Sequence, residues 1–144
     1  MSNENTISLN EIEVLSFALN PKPDHIVKSF KYIVNIDTKV KGSSEKNLLT
    51  TITTVHFLED ETKSELGSLQ VGLVFKIENY DQVVVKKSET RIQIEDKKKK
   101  RLALISMDTL RGIAFTYLKG TYIQSILIPL IPADQVLTTN LENI

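Results

Sequence analysis

Residues 69–77 read Leu69-Gln70-Val71-Gly72-Leu73-Val74-Phe75-Lys76-Ile77, and this stretch decides the fold. Its odd positions, Leu69, Val71, Leu73, Phe75 and Ile77, are all apolar, while Gln70, Gly72, Lys76 and then Glu78 alternate with them. Successive side chains on a strand point to opposite faces, so period two gives this segment one apolar and one polar side. Antiparallel sheets covered on one face only read this way.

Toward the N-terminus a second segment repeats the pattern. Its even positions run Phe30, Tyr32, Val34, Ile36, Thr38 and Val40, with Lys31, Asn35, Asp37, Lys39 and Lys41 between them. Leu48 to Leu58 lies between the two and is rich in threonine and β-branched residues, a third strand with less regular alternation. Gly42-Ser43-Ser44 and the acidic Glu59-Asp60-Glu61-Thr62 suit hairpin tips. Ile12 to Leu19 adds an N-terminal strand, stopped by Asn20-Pro21-Lys22-Pro23, where the prolines lack donors and hold φ.

Toward the C-terminus the period changes. After the basic run Lys97-Lys98-Lys99-Lys100-Arg101, apolar residues recur at Ala103, Met107, Leu110, Ala114 and Tyr117, with Ile113 and Leu118 widening the stripe. These steps describe an amphipathic helix ending at Gly120. Gly112 inside it forgoes about 1 kcal/mol relative to alanine, which predicts a neighbour packed closely on that face. An extended link from Thr121 to Ile131 leads to a short C-terminal helix opened by Pro132, with Val136, Leu137 and Leu141 on one side. Strands first and helices last give an α+β domain spanning residues 1–144. It is expected to hold an antiparallel sheet of about four strands, with a long helix and a short C-terminal helix on one face.

Composition narrows the function. The 144 residues suffice for a core without staples, and 41% apolar with 25% charged residues is ordinary for a globular chain. With no cysteine there is no disulfide, thiolate nucleophile or cysteine metal site. Eighteen basic and eighteen acidic residues cancel, so no net field draws the protein to nucleic acid or anionic lipid. Met1 to Asn5 lack the basic start and apolar run of a signal peptide. The most apolar stretch, Tyr122 to Ile131, covers about half the roughly twenty residues a membrane span needs. A soluble cytoplasmic protein without membrane insertion is expected.

Catalytic patterns are missing. The two histidines, His25 and His56, belong to no ligand spacing; the first reads as a solvated loop residue and the second as a hydrogen-bonded strand residue. No metal or cofactor is expected. The five glycines form no phosphate cradle, and no Gly-x-Ser-x-Gly elbow appears. The basic run lacks interleaved aromatics and reads as a solvated strand-to-helix connection. The acidic tip Glu59, Asp60 and Glu61, with Glu65, reads as a solubilising turn or a docking patch for a basic partner. What remains is the apolar link Tyr122 to Ile131, either a plug in the core or the wall of an exposed groove or subunit interface.

The residues Gly120-Thr121-Tyr122, followed by an apolar link reaching Pro129, resemble the SecB family of export chaperones. In that family a helix runs into Gly-Thr-Phe with a proline the same distance beyond. The segment Leu69 to Ile77, ending in Val-Phe-Lys-Ile, looks like the SecB strand that precedes the helices. The resemblance implies an ATP-independent holdase that binds unfolded or precursor polypeptides in an apolar groove, with no catalytic residues, as a homo-oligomer (a dimer or a tetramer of paired dimers). Phe115, Tyr122, Ile126, Ile128 and Leu130 would line the groove, with Val71 and Leu73 as further lining candidates. A SecA-like motor would be a further partner. SecB proteins are typically acidic whereas this chain is neutral, which opens the alternative of an adaptor or a chaperone dedicated to one partner, such as an antitoxin.

Overall fold

The computed structural model describes residues 7–24, 31–89, 91–128 and 141–143, the last three by backbone alone. Four long strands, β1 (Ile7–Leu19), β2 (Tyr32–Ser43), β3 (Leu48–Glu59) and β4 (Glu65–Ile77), make an antiparallel sheet, joined by a short fifth strand. A one-turn helix α1 (Tyr80–Val83) leads into a two-stranded ribbon, β5 (Val84–Lys86) and β6 (Ile92–Ile94). Then comes the long helix α2 (Asp96–Leu118). The last described element, β7 (Leu141–Asn143), pairs parallel with β2, so the sheet order is β1-β4-β3-β2-β7.

The register follows the alternation. Val40 faces Thr51, which faces Leu73; Ile36 faces Val55, which faces Leu69, which faces Phe17. Each row therefore lies on one face, and all five odd positions from Leu69 to Ile77 are buried. In β3 the same face takes Thr51 and Thr53, and this accounts for the irregular look of its sequence. Their hydroxyls find partners inside: Thr53 Oγ1 lies 3.2 Å from Thr38 Oγ1, and Thr51 Oγ1 lies 3.4 Å from Ser106 Oγ of α2. A buried hydroxyl with a partner avoids the desolvation penalty that an orphaned one carries.

The β1 strand starts at Ile7, earlier than its sequence suggests, because two bulges interrupt its period. Register shifts fall between Leu9 and Glu11 and between Val14 and Ser16, leaving Asn10 and Leu15 as the extra residues. By register Leu9, Ile12, Val14 and Phe17 thus share a face with Phe75, Leu73, Val71 and Leu69. Of these four, Val14 and Phe17 pack against the core while Leu9 and Ile12 stay exposed. A bulge adds one residue to one strand and twists it, which hides alternation from a fixed count of two.

Helix α2 packs on this face against β1, β3 and β4, burying Leu102, Ala103, Met107, Leu110, Ala114 and Leu118. Several expectations need correction. The basic run Lys97 to Arg101 is not a connection before the helix; it forms the helix's first turns, which begin at Asp96. Lysine and arginine are good helix formers, and their long stems let the charges reach water from any side of a first turn. Tyr117 is not inside but 39% exposed, its ring 5.1 Å from that of Phe17. Among the described residues nothing packs closely on Gly112: no heavy atom beyond its own helix backbone stands within 4 Å of where its Cβ would be. The expected C-terminal helix from Pro132 lies outside the described residues, as does His25. Leu141, placed on that helix's apolar side, instead opens β7. The α1 turn and the β5–β6 ribbon have no counterpart in the sequence expectations. Among the described residues no helix is long and apolar enough to cross a membrane.

Candidate polypeptide-binding groove

The groove is built where α2 ends. Gly120 adopts the left-handed conformation (φ 82°) just beyond the Lys119 cap, a position that favours a residue without Cβ. The terminal carbonyls are capped locally: Thr121 N–H donates to the Leu118 carbonyl at 3.0 Å and Thr121 Oγ1 to the same oxygen at 2.7 Å. Gln124 folds back so that its Oε1 accepts from Gly120 N–H at 3.0 Å. These bonds turn the chain sharply and send the link across the ends of the strands.

Three side chains pin the link. Ile123, Ile126 and Ile128 are 0%, 3% and 7% exposed. Tyr122 fastens its start: the hydroxyl donates to the Asn20 carbonyl at 2.8 Å, with the Leu66 carbonyl at 3.3 Å. Burial raises the Tyr122 pKa above the usual tyrosine value. At the far side Leu127 N–H donates to the Tyr32 hydroxyl at 3.5 Å. The link therefore runs from the β1–β4 edge of the sheet to β2.

Leu127 points the other way and is 66% exposed. Opposite it on α2, Phe115 is 65% exposed, since it sits outside the stripe formed by Leu110, Ala114 and Leu118. Between helix and link lies a groove of 470 Å³, with Arg111, Gly112, Ala114 and Phe115 on one wall and Ile126, Leu127 and Ile128 on the other. Gly112, lacking a side chain, widens it.

The structure brings together Phe115, Ile126 and Ile128 of the expected groove residues. Tyr122 sits at the root of the link as an anchor. Val71 and Leu73 are 2% exposed under α2 and are not part of the groove lining. Leu130 lies outside the described residues. Arg111, Gly112 and Leu127 are additions; in the sequence a single arginine on a helix carries no signal that it borders an apolar cleft.

The acidic tip does not form one exposed patch. Glu59 is buried at 4%, and Thr62 Oγ1 donates to its carboxylate at 3.2 Å. Asp60 pairs with Lys63 at 3.2 Å, and Glu65 pairs with His56 on the open face of the sheet. Glu61 stands exposed at the turn and makes no ion pair among the described residues. Among the described residues no three histidine or acidic side chains converge as metal ligands would.

No family model matches the chain, and no curated protein matches it. Its fold, however, is similar to that of a solved SecB-like chaperone from Mycobacterium tuberculosis, in complex with a ChAD peptide from the HigA1 antitoxin. The TM-score is 0.54 at 9% sequence identity, covering 87% of this chain and 89% of that one. At that identity the likeness is one of architecture: an antiparallel four-stranded sheet backed by a long helix, in the manner of SecB-like chaperones.

Proposed function

We propose that this protein is a non-catalytic chaperone that holds non-native polypeptide segments in the groove between α2 and the link. The observation that carries the reading is the pair Phe115 and Leu127, both about two-thirds exposed and both lining one groove. Large apolar side chains left bare on two walls of a cleft mark an interaction site. Covering them with a client's side chains gains roughly 25 cal/mol per Å² of apolar area removed from water, with no nucleotide needed. The protein would act in the cytoplasm as a homo-oligomer. Leu9, Ile12 and Leu19 along β1 and Leu104 on α2 supply further exposed apolar surface for such contacts.

A second reading, a chaperone dedicated to one partner, draws support from the Mycobacterium protein, whose structure holds an antitoxin peptide. Docking to a SecA-like motor draws less support. With Glu59 inside, the acidic tip offers only Asp60, Glu61 and Glu65 to a partner, and two of these are already paired.

Suppression of client aggregation without nucleotide tests the reading. The wild-type protein should suppress it at near-stoichiometric ratios, and the Phe115→Ser, Leu127→Ser double variant should lose most of the effect while keeping its fold. Failure with general clients alongside success with one natural partner would select the dedicated form. Failure with both would end the proposal.

A further inference from the structure

The groove lining contains one charged residue among the described residues, Arg111. Its side chain is 28% exposed, with Nε buried. Nη1 donates to Asp108 Oδ1 at 3.0 Å, one turn earlier on α2. That carboxylate is 73% exposed and, unlike Arg111, is not among the residues lining the groove. The carboxylate half of the pair stands in water, where ion pairs are weak, and an incoming carboxylate can therefore compete for the guanidinium. The remaining walls are apolar side chains and Gly112. An apolar surround lowers the local dielectric and strengthens whatever charge interaction takes place there.

We infer that the groove discriminates among apolar segments by charge, favouring those that carry a carboxylate beside the apolar anchor and disfavouring those with lysine or arginine there. The inference rests on the groove being a polypeptide site and adds the class of segment it takes. Geometry sets the spacing. Arg111 and Phe115 are four apart on a helix, which places their Cβ atoms about 5–6 Å from each other. An extended client advances about 3.3 Å per residue and returns to the same face every second residue. An aspartate or glutamate two positions from the side chain that stacks on Phe115 thus comes level with Arg111. The planar guanidinium matches a carboxylate's two oxygens, a match that an ammonium group would not reproduce.

Three fluorescent peptides with one apolar sequence, differing only in aspartate, serine or lysine two positions from a central leucine, test this by anisotropy with the full-length protein. The aspartate peptide should bind about threefold or more tightly than the lysine peptide at low ionic strength. The gap should close near roughly 1 M salt, where screening is strong. Arg111→Gln should bring the three affinities together, and Arg111→Glu should reverse their order, an outcome that loss of folding cannot imitate. Equal binding by the wild type, or an order that survives Arg111→Glu, overturns the charge preference and leaves the groove reading standing. Absence of binding by any peptide overturns both.

Discussion

The Tyr122 hydroxyl and the Asn20 carbonyl meet at 2.8 Å, joining positions 102 residues apart in the chain. Asn20 is itself tied to the start of β4, its N–H donating to the Leu66 carbonyl at 2.9 Å and its side-chain amide to the Glu65 carbonyl at 2.7 Å. One phenol thereby fastens the link to the corner where β1 ends and β4 begins. Tyr122→Phe removes the bond and keeps the ring. It is expected to lower stability by about 1 kcal/mol, read from denaturant midpoints. Amide exchange should quicken at residues 122–128 ahead of the sheet.

Gly42 and Tyr80 form a second long-range pair. Tyr80 is 4% exposed, and its hydroxyl would collide with any Cβ at position 42. Gly42→Ala should destabilise by about 1–3 kcal/mol, as overpacking does. The hydroxyl has no hydrogen-bond partner among the described residues, so Tyr80→Phe alone should be neutral or stabilising. In the double variant the two effects should fall short of their sum, because removing the hydroxyl gives the new methyl group room. A four-point denaturation cycle measures this.

The same tyrosine sets an alkaline limit. Burial, and then the charge of Asp81, raises the Tyr80 pKa above its ordinary 10.0. Its neutral form is favoured by folding, so this contribution to stability is whole below pH 10 and is lost as pH rises through the folded value. Denaturant midpoints should therefore fall above about pH 10, and Tyr80→Phe should flatten that decline.

Gly112 offers a separation of stability from binding. Its Cβ position is open, and alanine in a helix interior is favoured over glycine by roughly 0.8–1.0 kcal/mol. Gly112→Ala should raise the thermal midpoint. Gly112→Leu, on the groove wall, should narrow the cleft and weaken peptide binding without lowering the midpoint. A thermal melt and an anisotropy titration on each variant check both halves.

What the sequence made legible follows from which rules the chain obeys locally. Leu69 to Ile77 keeps period two with the one exception of Val74, since it is an inner strand with one face under α2, and its core side was readable residue by residue. The β1 strand escaped the same reading because Asn10 and Leu15 each shift its parity. Helix α2 was readable through its stripe, but its start was not, since five consecutive basic residues carry no periodicity. Phe115, Ile126 and Ile128 could be anticipated as a set only through the resemblance of Gly120 to Pro129 to the SecB family. Arg111 could not, for its meaning depends on the link folding back beside it. Thr51 and Thr53 break the apolar alternation of β3 in the sequence yet are buried, and the partners Ser106 and Thr38 account for that.

The three pinned isoleucines have a consequence for timing. Ile123, Ile126 and Ile128 hold the far wall against the core before anything occupies the groove. Under the proposed function, capture would require no refolding of this wall, and most of the entropy of ordering would fall on the client. Encounter should accordingly be limited by collision and orientation, in the range of roughly 10⁵–10⁷ M⁻¹s⁻¹, with rates rising linearly in client concentration. On that proposal the protein would make its distinctions in how long it retains a segment, through the rate of release rather than the rate of arrival.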